Sequence, residues 1–149
     1  MKKETERERE TGAGFGHLLP IQVRFKDIDG VGHVNNACYL SYLELGRIAY
    51  FQEITGGKVD WSRKGIILAR IVIDYKEPVL LNDEVYVGTC CSRIGGKSFD
   101  LSCAVIKKKN GKYFIAASAL SVLVCYDYEK AASMKIPPAW KRKLAGRKK

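Results

Sequence analysis

Hydrophobic and polar positions change period as the chain proceeds. Ile21, Val23 and Phe25 alternate with Gln22 and Arg24, the period-two pattern of a half-buried strand. From Asn36 to about Ile54 the period lengthens to that of a helix, with Asn35 placed to cap its start and Thr55, Gly56 and Gly57 to stop it. The helix's apolar residues, from Ala37 and Tyr39 through Leu45 and Ile48 to Phe51, cover most of its circumference, so it is expected to be buried nearly all round. Four long segments rich in Val, Ile, Tyr and Cys follow, Ile66 to Tyr75, Glu84 to Ile94, Ser98 to Lys108 and Lys112 to Tyr126. Gly95-Gly96 and Asn110-Gly111 are pairs of the kind that supply positive φ in tight hairpins, which makes the last three strands an antiparallel meander. Pro137 and Pro138 close the sheet, and Ala139 to Leu144 add a short terminal helix. A helix with apolar residues on every side needs a surface that wraps it, and a twisted antiparallel sheet is the one available. The pattern predicts an α+β fold: one antiparallel sheet around one long buried helix.

Composition narrows this to one site on one scaffold. The chain has 149 residues, of which 46% are hydrophobic and 28% charged, enough for a single packed core. Residues 1–17 read as a flexible charged leader, 18–144 as the domain and 145–149 as a basic tail. No stretch reaches the roughly 18 apolar residues of a membrane helix, so no membrane association is expected. The first ten residues alternate Lys, Arg and Glu without an apolar run, unlike a secretory signal, and this points to the cytoplasm. The five cysteines have no metal-ligand or C-x-x-C spacing and read as small buried hydrophobes, with no metal expected. The net charge of +10 is uneven: Ala139 to Lys149 holds six basic residues and no acid. Such a tail suits an anionic ligand, an acidic carrier protein or nucleic acid, and charge alone does not choose among them.

The densest polar and glycine-rich stretch is Arg24 to Asn36, between the first strand and the helix. The first amides of a helix lack partners and carry the positive end of its dipole, so a developing oxyanion is stabilised there. Asp29 precedes that end, where Gly30 and Gly32 let the backbone turn tightly. A carboxylate beside an oxyanion site suits acyl transfer, attacking a carbonyl or taking a proton from water, with no cofactor. Asp27 reads as structural, paired with Arg24, and Glu44 with Arg47 reads as an i,i+3 ion pair.

The motif D-x-D-x-x-G-H-V-N-N-x-x-Y, here Asp27, Asp29, Gly32, His33, Val34, Asn35, Asn36 and Tyr39, resembles the signature of the hotdog-fold acyl thioesterases. The 4-hydroxybenzoyl-CoA thioesterase-like enzymes and the plant acyl-carrier-protein thioesterases share it in part. Tyr42, Glu44, Arg47, the hairpin at Gly96 to Phe99 and Pro137 fall in family order, from about Leu18 to Leu144. The resemblance implies hydrolysis of an acyl-CoA or acyl-carrier-protein thioester. It implies three catalytic residues: Asp29 as nucleophile or general base, Asn36 with its backbone amide on the carbonyl, and His33, on the substrate side, which aligns with the histidine of the carrier-protein enzymes. It also implies substrate contacts from Gly32, Asn35, Tyr39 and Lys97, the last toward coenzyme A phosphates and often across a subunit boundary, in a homodimer or homotetramer. The carrier-protein enzymes place an Asn two residues after the aspartate where this chain has Val31, which favours the simpler aspartate scheme.

Two alternatives carry different chemistry. The hydratases of the same fold use an Asp and His with four residues between them, or a His with a Glu on the helix; here three residues separate Asp29 from His33 and five separate Asp27 from it, so neither spacing fits. A non-catalytic acyl-CoA sensor or nucleic-acid-associated module would use the basic tail. Its lysines lack interleaved aromatics, so no specific nucleic acid is expected as a partner.

Overall fold

In the computed structural model, residues 14–146 are described. The elements run β1 (His17–Ile21), a single 3-10 turn (Phe25–Asp27), α1 (Asn36–Thr55), β2 (Lys64–Tyr75), β3 (Glu84–Ile94), β4 (Ser98–Lys109), β5 (Lys112–Asp127), β6 (Ala132–Ser133) and α2 (Pro138–Ala145). The strands form one antiparallel sheet in the order β1-β3-β4-β5-β2, with β6 on the end of β5. The single long helix lies in the sheet's concave side, over β1, β3 and β4, giving the α+β arrangement read from the sequence.

The helix begins and ends where the sequence places its signals. Asn35 Oδ1 accepts from Ala37 N at 2.9 Å, and Gly56 adopts φ 65° with its amide returned to Gln52 and Glu53. Leu43, Tyr50, Phe51 and Ile54 of α1 pack with Val85, Val87, Phe99, Leu101 and Val105 of the sheet into one core. Gly46 sits where α1 crosses β3, and a Cβ there would run into the Val87 side chain, so the absence of a side chain sets the approach of helix to sheet. Four of the five cysteines are buried and all are free thiols.

Several expectations need correction. The first strand lies at His17–Ile21, not Ile21 to Phe25: its last pair is Ile21 with Val85, after which the chain turns. Arg24 O accepts from Asp27 N at 2.9 Å to close that turn, leaving Phe25 84% exposed. His17, the last residue assigned to the leader, begins β1, and the Phe15 ring is seated against Gly88; residues 1–13 of the leader and 147–149 of the basic tail lie outside the described residues. The helix is not buried all round, since Leu40, Leu45 and Ile48 remain exposed on the side away from the sheet. Asn110 and Gly111 have the positive φ expected of their hairpin (51° and 73°). Gly95 and Gly96 do not; Gly95 is required for room, because a Cβ there would lie 2.9 Å from the Ser98 carbonyl oxygen. Among the described residues no ion pair joins Glu44 and Arg47: Glu44 faces solvent while Arg47 is buried.

Candidate active site

The loop before α1 is held by Asp27, which is 1% exposed. Its carboxylate accepts from Arg24 N (3.0 Å), Arg24 Nη2 (2.9 Å) and the buried Tyr42 hydroxyl (2.7 Å), and its carbonyl accepts from Asn35 N (2.8 Å). Burial alone would raise this carboxyl, but the bonds from Arg24 and Tyr42 outweigh it and hold it at about 2. The same burial, with the bond to Asp27, raises the Tyr42 phenol. Asp27 is therefore a permanent anion tying strand exit, turn and helix together, the structural part read for it from the sequence.

Asp29 follows in a small closed loop. Its amide donates to His33 O at 2.8 Å and its carbonyl accepts from Gly32 N at 3.1 Å. The side-chain Oδ1 accepts from Val31 N (2.9 Å) and His33 N (3.4 Å). These bonds orient the carboxylate through one oxygen and leave Oδ2 without a protein donor among the described residues. Gly32 carries φ +83°, a backbone conformation that a side chain disfavours, whereas Gly30 has no positive φ and is not required for the turn.

The start of α1 completes the arrangement. Asn35 spends its side chain on Ala37 N and its carbonyl on Cys38 N. The Asn36 N–H is left with no protein acceptor among the described residues, at the positive end of the helix dipole. Asp29, His33, Asn36 and Tyr39 line one open cleft of about 370 Å³ with Val34 and the segment Tyr75, Lys76, Glu77 and Pro78 that leaves β2. The Tyr75 hydroxyl donates to Asn36 O (2.9 Å), and its ring meets Tyr39 edge-on at 5.1 Å. Lys107 secures the far wall, donating to Pro78 O (2.8 Å) and pairing with Glu77 (3.5 Å).

Of the residues singled out from sequence, Asp29, His33, Asn36 and Tyr39 come together, with Gly32 and Asn35 shaping the loop and the helix start. Lys97 does not join them within one chain. It sits in the β3–β4 hairpin, donating to Ser133 Oγ at 3.4 Å, beside the Val124–Cys125 end of β5. Tyr75 pairs with Ala117, so strand rise alone puts the two ends roughly 23 Å apart. Sequence reasoning does not find Tyr75 and Glu77: they follow an ordinary strand pattern, and no local signal links them to a motif about 40 residues earlier. Among the described residues no three His, Cys, Asp or Glu side chains come together to hold a metal ion.

One antiparallel sheet packed around a single long helix, with an open cleft at the helix start, is the hotdog arrangement of the thioester hydrolases. The thioesterase-like superfamily model matches residues 23–144, and the chain belongs to that superfamily. Among its relatives is the long-chain acyl-CoA thioesterase FadM of Escherichia coli K12, 28% identical over 130 residues that cover 83% of this chain and 93% of FadM. A thioesterase from Thermus thermophilus, solved with coenzyme A and Zn, is 38% identical with a TM-score of 0.76, covering 88% of this chain and 98% of that one. A protein of Pseudomonas aeruginosa PAO1, 24% identical over 94% of this chain and 96% of its own, shares the fold at a TM-score of 0.82.

Proposed function

We propose that the chain hydrolyses acyl-CoA thioesters, with the thioester carbonyl held at the Asn36 amide and Asp29 supplying the reactive carboxylate. The observation that carries this reading is the pairing of an oriented carboxylate having a free oxygen with the one first-turn amide left unspent, both on the same cleft. Negative charge builds on the carbonyl oxygen as the tetrahedral species forms, and a fixed N–H at the helix start stabilises it without reorganisation. Asp29 Oδ2 either attacks the carbonyl carbon, expelling the thiolate and leaving an acyl anhydride that water cleaves, or takes a proton from the water that attacks directly. Both routes end in free acid and thiol. His33 stands on the substrate side, where Asp29 holds its backbone amide. Tyr39, with Tyr75, walls the acyl entrance.

The coenzyme A of the Thermus structure and the substrate in FadM's name support coenzyme A as the carrier in preference to an acyl-carrier protein. The active unit is a homodimer joined along β2. That strand is the long open edge of the sheet and leaves Ile67, Leu68 and Val72 exposed. Antiparallel pairing of two such edges carries the Lys97 hairpin of one chain toward the Asp29 cleft of the other, where its ammonium meets coenzyme A phosphates. The protein works in the cytoplasm, a reducing compartment that suits five free thiols. No helix among the described residues is long and apolar enough to cross a membrane.

The test is release of free thiol from a panel of acyl-CoAs, with the same acyl groups on a carrier protein as a second arm. Turnover of the coenzyme A esters is expected. No turnover of any thioester, with ligand binding retained, would mark the chain as a sensor.

A further inference from the structure

Beneath α1 lies a polar cluster that the hydrolytic chemistry does not use. Arg47 of α1 is 6% exposed, and its buried Nη1 has no acceptor. Beside it are Thr89 of β3 and Ser121 of β5, both fully buried, whose hydroxyls have no oxygen or nitrogen partner and face only the sulfur of Cys103 of β4. No carboxylate pairs with Arg47 among the described residues, and Glu44 attracts it only from solvent. Removing a guanidinium from water without a counter-charge is costly, and an unpartnered Nη1 beside two buried hydroxyls that have only a thiol to face points to a group that completes the cluster.

The sheet supplies a path to this cluster. Tyr75, Ile73 and Ile71 lie opposite Ala117, Ala119 and Ser121 in the β2–β5 register, so the six share the face of the sheet turned toward the core. The row starts at Tyr75 in the cleft and ends at Ser121 in the cluster, about 13 Å along the strand. Its middle is apolar, and the alanines on β5 are small. The helix makes its main contacts with β1, β3 and β4, and on the β2 side Ile71 and Ile73 are only partly buried against the core. Arg47 is roughly 16 Å along α1 from Asn36, and its side chain leans back toward the helix start, which shortens the span.

We propose that this row is the acyl path and that Arg47, with Thr89 and Ser121, reads its far end, selecting acyl groups whose distal terminus carries an oxygen acceptor, a carboxylate above all. The inference rests on the acyl-CoA hydrolase reading and names the substrate class of that same site. Arg47 is a specificity-determining residue, too far from Asp29 to touch the thioester.

The test compares kcat/KM for medium-length acyl-CoAs matched in length and ending in methyl, hydroxyl or carboxylate. The wild-type enzyme is expected to favour the carboxylate over the methyl terminus by on the order of tenfold or more, with hydroxyl between, as charge-assisted hydrogen bonds imply. In Arg47→Met this ratio is expected to fall to one or below. Thr89→Val combined with Ser121→Ala, which removes two hydroxyls and keeps the guanidinium, should lower it partly and provides the readout if Arg47→Met does not fold. Methyl-terminated substrates turned over as well as the others by the wild type, or a ratio unchanged in a folded variant, would overturn the assignment while leaving the hydrolase reading intact. Failure of the wild type on every acyl-CoA would overturn both.

Discussion

Replacing Asp27 by Asn tests the physical basis of the loop that presents Asp29. The carboxyl lies at about 2 in the folded chain against an ordinary value of 3.8, because the donors from Arg24 and Tyr42 outweigh a burial that alone would raise it. A gap of that size is worth on the order of 2 kcal/mol of folding free energy at neutral pH. Asn removes the charge and also turns an NH₂ toward a site where every neighbour is a donor, so the loss should be at least that large. Because the folded value is depressed, the stabilisation is complete above about pH 5 and drains away as pH falls through about 4 toward 2. Urea unfolding of both proteins across this range is the assay. Asp27→Asn should be less stable by about 2 kcal/mol or more at pH 7, and the difference should narrow on acidification. A difference that is negligible at pH 7, or that keeps its size down to about pH 2.5, would refute the reasoning.

Three further outcomes follow from the same geometry. Tyr42→Phe leaves the buried carboxylate one donor short and should cost about 1–3 kcal/mol in urea unfolding; no measurable cost would mean that the Tyr42 hydroxyl does not support Asp27. Gly32→Ala forces a side chain onto φ +83° although its Cβ would meet nothing within 4 Å, so a loss of about 1 kcal/mol from backbone strain alone is expected in the same assay. His33→Ala should reduce thioester turnover less than Asp29→Asn does, because Asp29 is oriented by the His33 backbone and not by its imidazole; equal losses on one substrate would show that the two side chains act as a unit.

The parts of the fold that local chemistry dictates are legible in the chain. Asn35 and Gly56 bound the helix, and Asn110-Gly111 turns β4 into β5, because caps and positive-φ turns depend on residues a few positions apart. The first strand is harder to place for a physical reason. The alternation of Ile21, Val23 and Phe25 continues past the last β-pair, and what ends the strand is Asp27, whose hold on Tyr42 reaches across 15 residues. The exposed Leu40, Leu45 and Ile48 show a second limit: apolarity all round a helix does not say which side of it the sheet will cover. The motif brings Asp29, His33, Asn36 and Tyr39 to one cleft, since all lie within one loop and the helix turn after it. Tyr75, Thr89 and Ser121 are out of its reach, because each takes its place from the sheet register, and so is Arg47, which takes its place from the helix face turned onto that sheet.

The central claim, that Asp29 is the reactive carboxylate, is tested most directly by Asp29→Asn. The amide keeps the size of the side chain and an oxygen for the Val31 amide, but it is neither a base nor a useful nucleophile. Measured on the best acyl-CoA of the panel, the variant should lose about a hundredfold or more in kcat while its melting temperature and its affinity for the unhydrolysed thioester stay near those of the wild type. An Asp29→Asn protein that keeps most of its turnover would contradict the account and move the chemistry to another group on the cleft.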